Sequence, residues 1–123
     1  MGYYPVSLDV RGRRCVVVGG DALAEEKARG LAAAEARVVV IAVNPTPGLD
    51  ELAQSGAVQL LRRPYRHGDL SGVFLVIVAQ GEARERQAIW LEALQNQALM
   101  NSVDDLPRCS FIAPAVIRRG DLT

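Results

Sequence analysis

Aromatic residues are scarce in this chain: one Trp, three Tyr and two Phe among 123 residues. Histidine is scarcer, at one, and cysteine stands at two. Each shortage excludes something. A single His67 and two distant thiols, Cys15 and Cys109, do not make a Cys/His zinc site. Nor do they make the disulfide framework of a small secreted domain. Two reduced thiols in a cytoplasmic protein are the expectation. An excess of charge of either sign is also lacking, with fourteen basic and fourteen acidic residues. Nothing therefore points to nucleic acid or an anionic membrane surface as partner. No apolar run approaches the ~20 residues of a membrane span, and Tyr3, Tyr4, Pro5 and Asp9 interrupt any signal-peptide core.

What is present is apolar mass. Half of the residues are hydrophobic, enough for the core of a single domain over 1–123. The pattern centres on Arg14-Cys-Val-Val-Val-Gly-Gly-Asp-Ala-Leu-Ala-Glu-Glu-Lys27. Cys15 to Val18 reads as a buried strand, ended by Gly19 and Gly20. Ala22 to Ala34 follows as a helix, with Leu23, Ala24, Ala28, Leu31 and Ala32 on one face. Strand, glycine turn and helix open a dinucleotide-binding βαβ unit, in which the helix N-terminus faces a pyrophosphate. The fingerprint Gly-x-Gly-x-x-Gly/Ala is met at Gly19 and Ala24 but has Asp21 at its middle glycine. A carboxylate there repels a dianion. Asp21 as a plain helix cap is the competing reading.

Further apolar runs, Ala36 to Val43, Ala57 to Leu61, Val73 to Ala79 and Leu99 to Val103, read as strands. Helices at Leu49–Ser55 and Ala83–Ala98 lie between them. The second is predicted to bury Ala88, Leu91, Leu94 and Ala98, with Ile89 and Trp90 flanking. This alternation predicts an α/β, Rossmann-like parallel sheet flanked by helices. Tyr3 to Val10 alternates and is a candidate edge strand or entry segment. Glu35 stands where a helix-ending glycine is expected. Val43–Asn44 falls where a Rossmann domain usually carries its ribose-binding acid; Asn44 is either a hydroxyl ligand or a turn residue. Arg62, Arg63 and Arg66 lie in a basic loop that either meets substrate carboxylates or is simply solvated. His67, beside Gly68, reads as a turn residue. Asp104 and Asp105 end a central strand and offer a proton acceptor or an Asx-type turn. Phe111 to Ile117 reads as a strand and Arg118 to Asp121 as the start of a hairpin that looks truncated.

Taken together, Tyr4-Pro-Val-Ser-Leu-Asp-Val-Arg-Gly-Arg-Arg, Val17-Val-Gly-Gly, Ala24-Glu-Glu-Lys-Ala-Arg29, Arg63-Pro-Tyr and Asn101-Ser-Val-Asp-Asp-Leu-Pro-Arg-Cys-Ser-Phe-Ile-Ala-Pro-Ala-Val-Ile-Arg118 resemble the N-terminal domain of sirohaem synthase, the precorrin-2 dehydrogenase / sirohydrochlorin ferrochelatase family. The resemblance covers essentially the whole chain. It implies NAD⁺-dependent oxidation of the tetrapyrrole precorrin-2 to sirohydrochlorin, with insertion of Fe²⁺ in many members. It assigns the catalytic and iron-handling carboxylate to Asp104, and cofactor contacts to Gly19, Gly20, Ala22, Leu23, Val43 and Asn44. Substrate contacts at Arg62, Arg63 and Arg66 are an inference from charge. Relative to the family, Asp21 replaces a glycine, Ala79-Gln-Gly-Glu82 replaces an Ala-Thr-Asp-Asp-like run, and Glu35-Ala36 replaces Gly-Ala. A dimerising segment and a helical domain that the family carries further on are not in this sequence, so a homodimer or a completing partner subunit is expected. The alternative reading is a degenerate, non-catalytic Rossmann module that binds a tetrapyrrole or a partner.

Overall fold

A computed structural model describes residues 2–112 of the chain. Five parallel strands form one sheet in the order β3-β2-β1-β4-β5. They are β1 (Arg14–Val18), β2 (Arg37–Ile41), β3 (Val58–Leu61), β4 (Leu75–Val78) and β5 (Leu99–Ser102). Helix α1 (Ala22–Ala33) joins β1 to β2, α2 (Pro47–Gln54) joins β2 to β3, and α3 (Ala83–Gln95) joins β4 to β5. A 3₁₀ turn, Leu106–Arg108, follows β5. This is the predicted Rossmann-like architecture.

Period-2 alternation sorts the strand residues to two faces. Val16, Val18, Val76 and Val78 pack with Ile89, Ala93, Leu70 and Val73. Val17, Val38 and Val40 pack with Ala24, Ala28 and Leu49 on the other side. One face is thus covered by α1 and α2. The other is covered by α3 and by the segment between β3 and β4, which has no helix of its own.

All three helices close with the same pair of hydrogen bonds, the Schellman arrangement. After α1, Ala36 N–H donates to Leu31 O and Glu35 N–H to Ala32 O; equivalent pairs join Ala57 to Leu52 with Gly56 to Ala53, and Ala98 to Ala93 with Gln97 to Leu94. The arrangement needs a left-handed residue, and only one of the three is glycine: φ is 68° at Glu35, 83° at Gly56 and 55° at Gln97. Glu35 therefore occupies the glycine-type position expected from sequence, at a conformational cost of about 1 kcal/mol.

Three expectations are corrected. Residues 2–10 form no strand; Tyr4, Val6 and Leu8 are exposed and only Val10 is buried. Pro5 cannot donate to a ladder. Helix α2 starts two residues early, because Thr46 Oγ1 caps Leu49 N–H at 3.2 Å and Pro47 suits a first helical position. In α3 the buried stripe is Ile89, Glu92 and Ala93, while Leu91 and Leu94 are exposed. The Phe111–Ile117 strand and the hairpin after it lie mostly outside the described residues; Phe111 and Ile112 themselves are not in a strand.

Candidate functional site

The strand order switches sides between β1 and β4, since β2 and β3 lie to one side of β1 while β4 and β5 lie to the other. Open α/β sheets bind ligands in the crevice at such a point, beyond the carboxyl ends of the strands. Here the crevice is a cleft of about 470 Å³ walled by Gly19, Gly20, Asp21, Asn44, Arg63 and Gln80. Val43, Thr46 and Tyr65 also line it. A second cleft, adjoining at Asp21, contains Leu23, Arg86, Asp104 and Arg108.

Packing explains both glycines before any ligand is invoked. Gly19 has φ 131°, a region closed to other residues. A Cβ on Gly20 would approach the Asn44 carbonyl oxygen to 2.6 Å. Close approach of the β2 loop to this turn thus brings Val43 and Asn44 to the same cleft as Gly19 and Gly20. Ala22 and Leu23 stand in the first turn of α1.

Asp21 is the N-cap of α1, accepting from Ala24 N–H at 2.9 Å. Glu25 N–H donates to Asp21 O. Among the described residues, the N–H groups of Asp21, Ala22 and Leu23 have no acceptor. Three free donors at the positive end of a 12-residue helix fit a pyrophosphate. The Asp21 carboxylate caps Ala24 N–H at this same helix end, so its charge opposes an anion bound at these donors.

Gln80 was not singled out by sequence reasoning. Its Oε1 accepts from Gly20 N–H at 2.8 Å. Because Gly20 can only donate there, the amide is oriented and its Nε2 is the end left over for a ligand. The only sequence signal for this residue was its departure from the family's run after the fourth strand.

Glu25, in the first turn of α1, ties α1 to α2. It accepts from Thr46 Oγ1 at 2.6 Å and from Arg29 Nη2 at 3.0 Å. The Thr46 hydroxyl and Arg29 hold its carboxyl below the usual value.

The three loop arginines are not equivalent. Arg62 pairs with Asp50. Arg63 makes a two-pronged bridge to Asp69, at 2.9 and 2.8 Å. Arg66 is exposed, its backbone N–H donating to Asp69 at 2.8 Å, and its guanidinium makes no ion pair among the described residues. Of the three, only Arg63 lines the first cleft.

Asp104 sits one residue past Val103 at the carboxyl end of the sheet, exposed, with φ 58°. Its carboxylate has no hydrogen-bond partner among the described residues, whereas its neighbour Asp105 is fully engaged. Asp105 accepts from Ser102 Oγ at 2.9 Å and from Arg108 Nη1 at 3.0 and 3.1 Å. Burial acts to raise the Asp105 carboxyl, but Ser102 and Arg108 outweigh it and lower it overall. The two adjacent carboxylates have thus separated into a structural one and a free one. Among the described residues no cluster of three or more His, Cys, Asp or Glu side chains could hold a metal ion, and no helix is long and apolar enough to cross a membrane.

Comparison with known proteins agrees with this fold. Residues 6–115 match the family NAD_binding_7, described as "Putative NAD(P)-binding". Siroheme synthase 1 of Serratia proteamaculans is 37% identical over 99% of this chain, and siroheme synthase of Zymomonas mobilis is 36% identical over all of it. The chain spans about a quarter (26%) of the length of each. Among solved structures, SirC, a precorrin-2 dehydrogenase, superposes with a TM-score of 0.86 at 27% identity, over 98% of this chain and 59% of SirC. A lactate dehydrogenase from Eimeria maxima, solved with NADH and oxamate, shares the fold alone, with a TM-score of 0.56 at 13% identity over 81% of this chain and 38% of that one.

Proposed function

The chain belongs to the NAD_binding_7 family of NAD(P)-binding domains, and from that premise we propose that it is the dehydrogenase domain that oxidises precorrin-2 to sirohydrochlorin in sirohaem biosynthesis. The observation that carries the reading is Asp104, a carboxylate without a partner beside the cleft that begins at the first turn of α1. When bound, NAD⁺ supplies the acceptor for a hydride. The glycine turn and the N–H groups of Asp21, Ala22 and Leu23 would hold its pyrophosphate, and Val43 and Asn44 would meet its adenosine end. As a C–H bond of the substrate gives up its hydride, Asp104 takes the proton that leaves with it, which completes a two-electron oxidation. An unpaired carboxylate accepts that proton without breaking an ion pair. Arg66 is the loop arginine with charge left for the substrate's carboxylates, Arg62 and Arg63 being paired within the fold. In chelation, Fe²⁺ is a second substrate that displaces two pyrrole N–H protons; Asp104 takes one as the metal enters, and the other passes to water.

Asp21 supports a second reading, a non-catalytic module that binds a tetrapyrrole or a partner subunit. Two measurements separate them. Calorimetric titration with NAD⁺ is expected to show binding, and addition of precorrin-2 to give the sirohydrochlorin absorbance. Asp104→Ala should abolish that oxidation and leave NAD⁺ affinity within about twofold, because the side chain lies outside the pyrophosphate donors. An Asp104→Ala variant as active as the parent sinks the assigned role, and a parent chain that binds no NAD⁺ sinks the dehydrogenase reading.

A further inference from the structure

Arg86, in the second turn of α3, reaches across to the strand that carries Asp104. Its Nη1 donates to Ser102 Oγ at 2.7 Å and to Val103 O at 3.0 Å, while its Nε donates to Gly81 O at 2.7 Å. One guanidinium therefore joins the loop after β4 to the end of β5. The contact does not stand alone. Ser102 Oγ donates a hydrogen bond to Asp105, Asp105 accepts from Arg108, and Arg108 Nε donates to Gln87 Oε1 on α3 at 2.8 Å. Residues 86 and 87 thus hold both ends of the turn 102–108. Within that turn every charged side chain is bonded except Asp104, whose backbone is in the left-handed region at φ 58°. A non-glycine residue stays there only when its surroundings hold it.

We propose that Arg86 is the positioning residue for Asp104, locking the turn after β5 so that the free carboxylate stays at the cleft. This deepens the dehydrogenase reading and rests on it for the catalytic consequence. The planar fork, with Nε and Nη1 bonded to two different segments, is a demand that lysine meets only in part.

The experiment compares the parent chain with Arg86→Gln, Arg86→Lys and Ser102→Ala. Precorrin-2 oxidation, NAD⁺ calorimetry and amide hydrogen exchange at 102–105 are read on each, after circular dichroism confirms folding. Arg86→Gln is expected to lower kcat about tenfold or more, with KM for precorrin-2 and Kd for NAD⁺ within about twofold. Exchange at 102–105 should accelerate about tenfold. Arg86→Lys should recover part of both losses, and Ser102→Ala should show the smaller version of each. Unchanged kcat and exchange in Arg86→Gln overturn the proposal. So does a rise in KM or Kd at constant kcat, which would make Arg86 a ligand contact instead. If the parent binds NAD⁺ without oxidising precorrin-2, the dehydrogenase reading fails, and the exchange measurement alone still decides whether Arg86 locks the turn.

Discussion

Glu92 is a carboxylate on the core face of α3, 2% exposed. It accepts from Tyr65 Oη, from Gly68 N–H at 2.8 Å and from Leu70 N–H at 3.3 Å. All three donors belong to the helix-free connection between β3 and β4, and among the described residues the Gly68 and Leu70 N–H groups have no backbone acceptor. Burying a charge costs several kcal/mol, so removing it could in principle stabilise the fold. The partners decide the sign. A backbone N–H cannot be mutated away, and Leu70 is fully buried, so its donor would lose its acceptor without gaining water.

Glu92→Gln keeps the volume and tests the bonds. Hydrogen bonds to a charged group contribute about 1.5–3 kcal/mol each, and a buried unsatisfied donor costs about 1–3 kcal/mol. Gly68 is exposed and can turn to water; glutamine keeps one acceptor oxygen, so of the Tyr65 and Leu70 bonds one is lost and the other falls to a neutral bond. The expected loss is about 2–4 kcal/mol, a large share of the ~5–15 kcal/mol typical of a domain. Tyr65→Phe should cost about 1.5–3 kcal/mol by the same reasoning. Urea titrations followed by circular dichroism measure both, and the double variant closes the cycle with a coupling of about 1 kcal/mol or more. A Glu92→Gln chain within about 0.5 kcal/mol of the parent, or additivity of the two changes, would refute the account of how this loop is held.

Three further outcomes are expected. Asp21→Gly costs a few tenths of a kcal/mol in helix capping but removes a carboxylate beside the phosphate donors, so NAD⁺ affinity should rise about tenfold by calorimetry; unchanged affinity would show that this charge is not the limiting defect. The Arg63 guanidinium holds the Asp69 carboxyl below its ordinary 3.8, so the pair's contribution is whole above that value and is lost as pH falls through the depressed folded value. Asp69→Asn should accordingly flatten the loss of stability as pH falls below about 4, read as urea midpoints. Burial pushes the Cys15 thiol up to about 11, so at about pH 8 a thiol reagent should label Cys109 in the native chain and Cys15 only on unfolding; rapid double labelling would contradict the closed core.

The strands were legible because parallel strands buried on both faces are written as continuous apolar runs, and Cys15–Val18 and Val73–Ala79 have few other readings. Helix α3 misled for a specific reason. Its core stripe passes through Glu92, and a carboxylate at a buried position rotates the apparent apolar face toward Leu91 and Leu94. The same residue explains the β3–β4 connection: a loop without a helix can cover a sheet face only if something buried accepts its N–H groups. Neither half of that pairing makes sense alone in the sequence. The residues involved, Tyr65 and Glu92, are separated by 27 positions.

The candidate site divides along the same line. Gly19, Gly20 and Asp104 announce themselves because each does something its residue type is suited to locally: an unusual turn, a close approach, a carboxylate at a strand end. Gln80 and Arg86 do not, because their roles exist only once the loop after β4 lies against β1 and β5. The turn at Asp21 shows why the motif alone does not decide affinity. A third glycine would leave the donors of α1 unopposed, and replacing it with Asp adds a negative charge. Yet the same carboxylate spends itself capping Ala24 N–H, and Gln80, bonded by its oxygen to Gly20, turns an amide donor toward the cleft. Removing that donor should therefore weaken NAD⁺ most when Asp21 is still present. On this reasoning Gln80→Ala lowers affinity by several-fold in the parent and by less in the Asp21→Gly background; equal losses in both would mean that the two side chains act independently on the pyrophosphate.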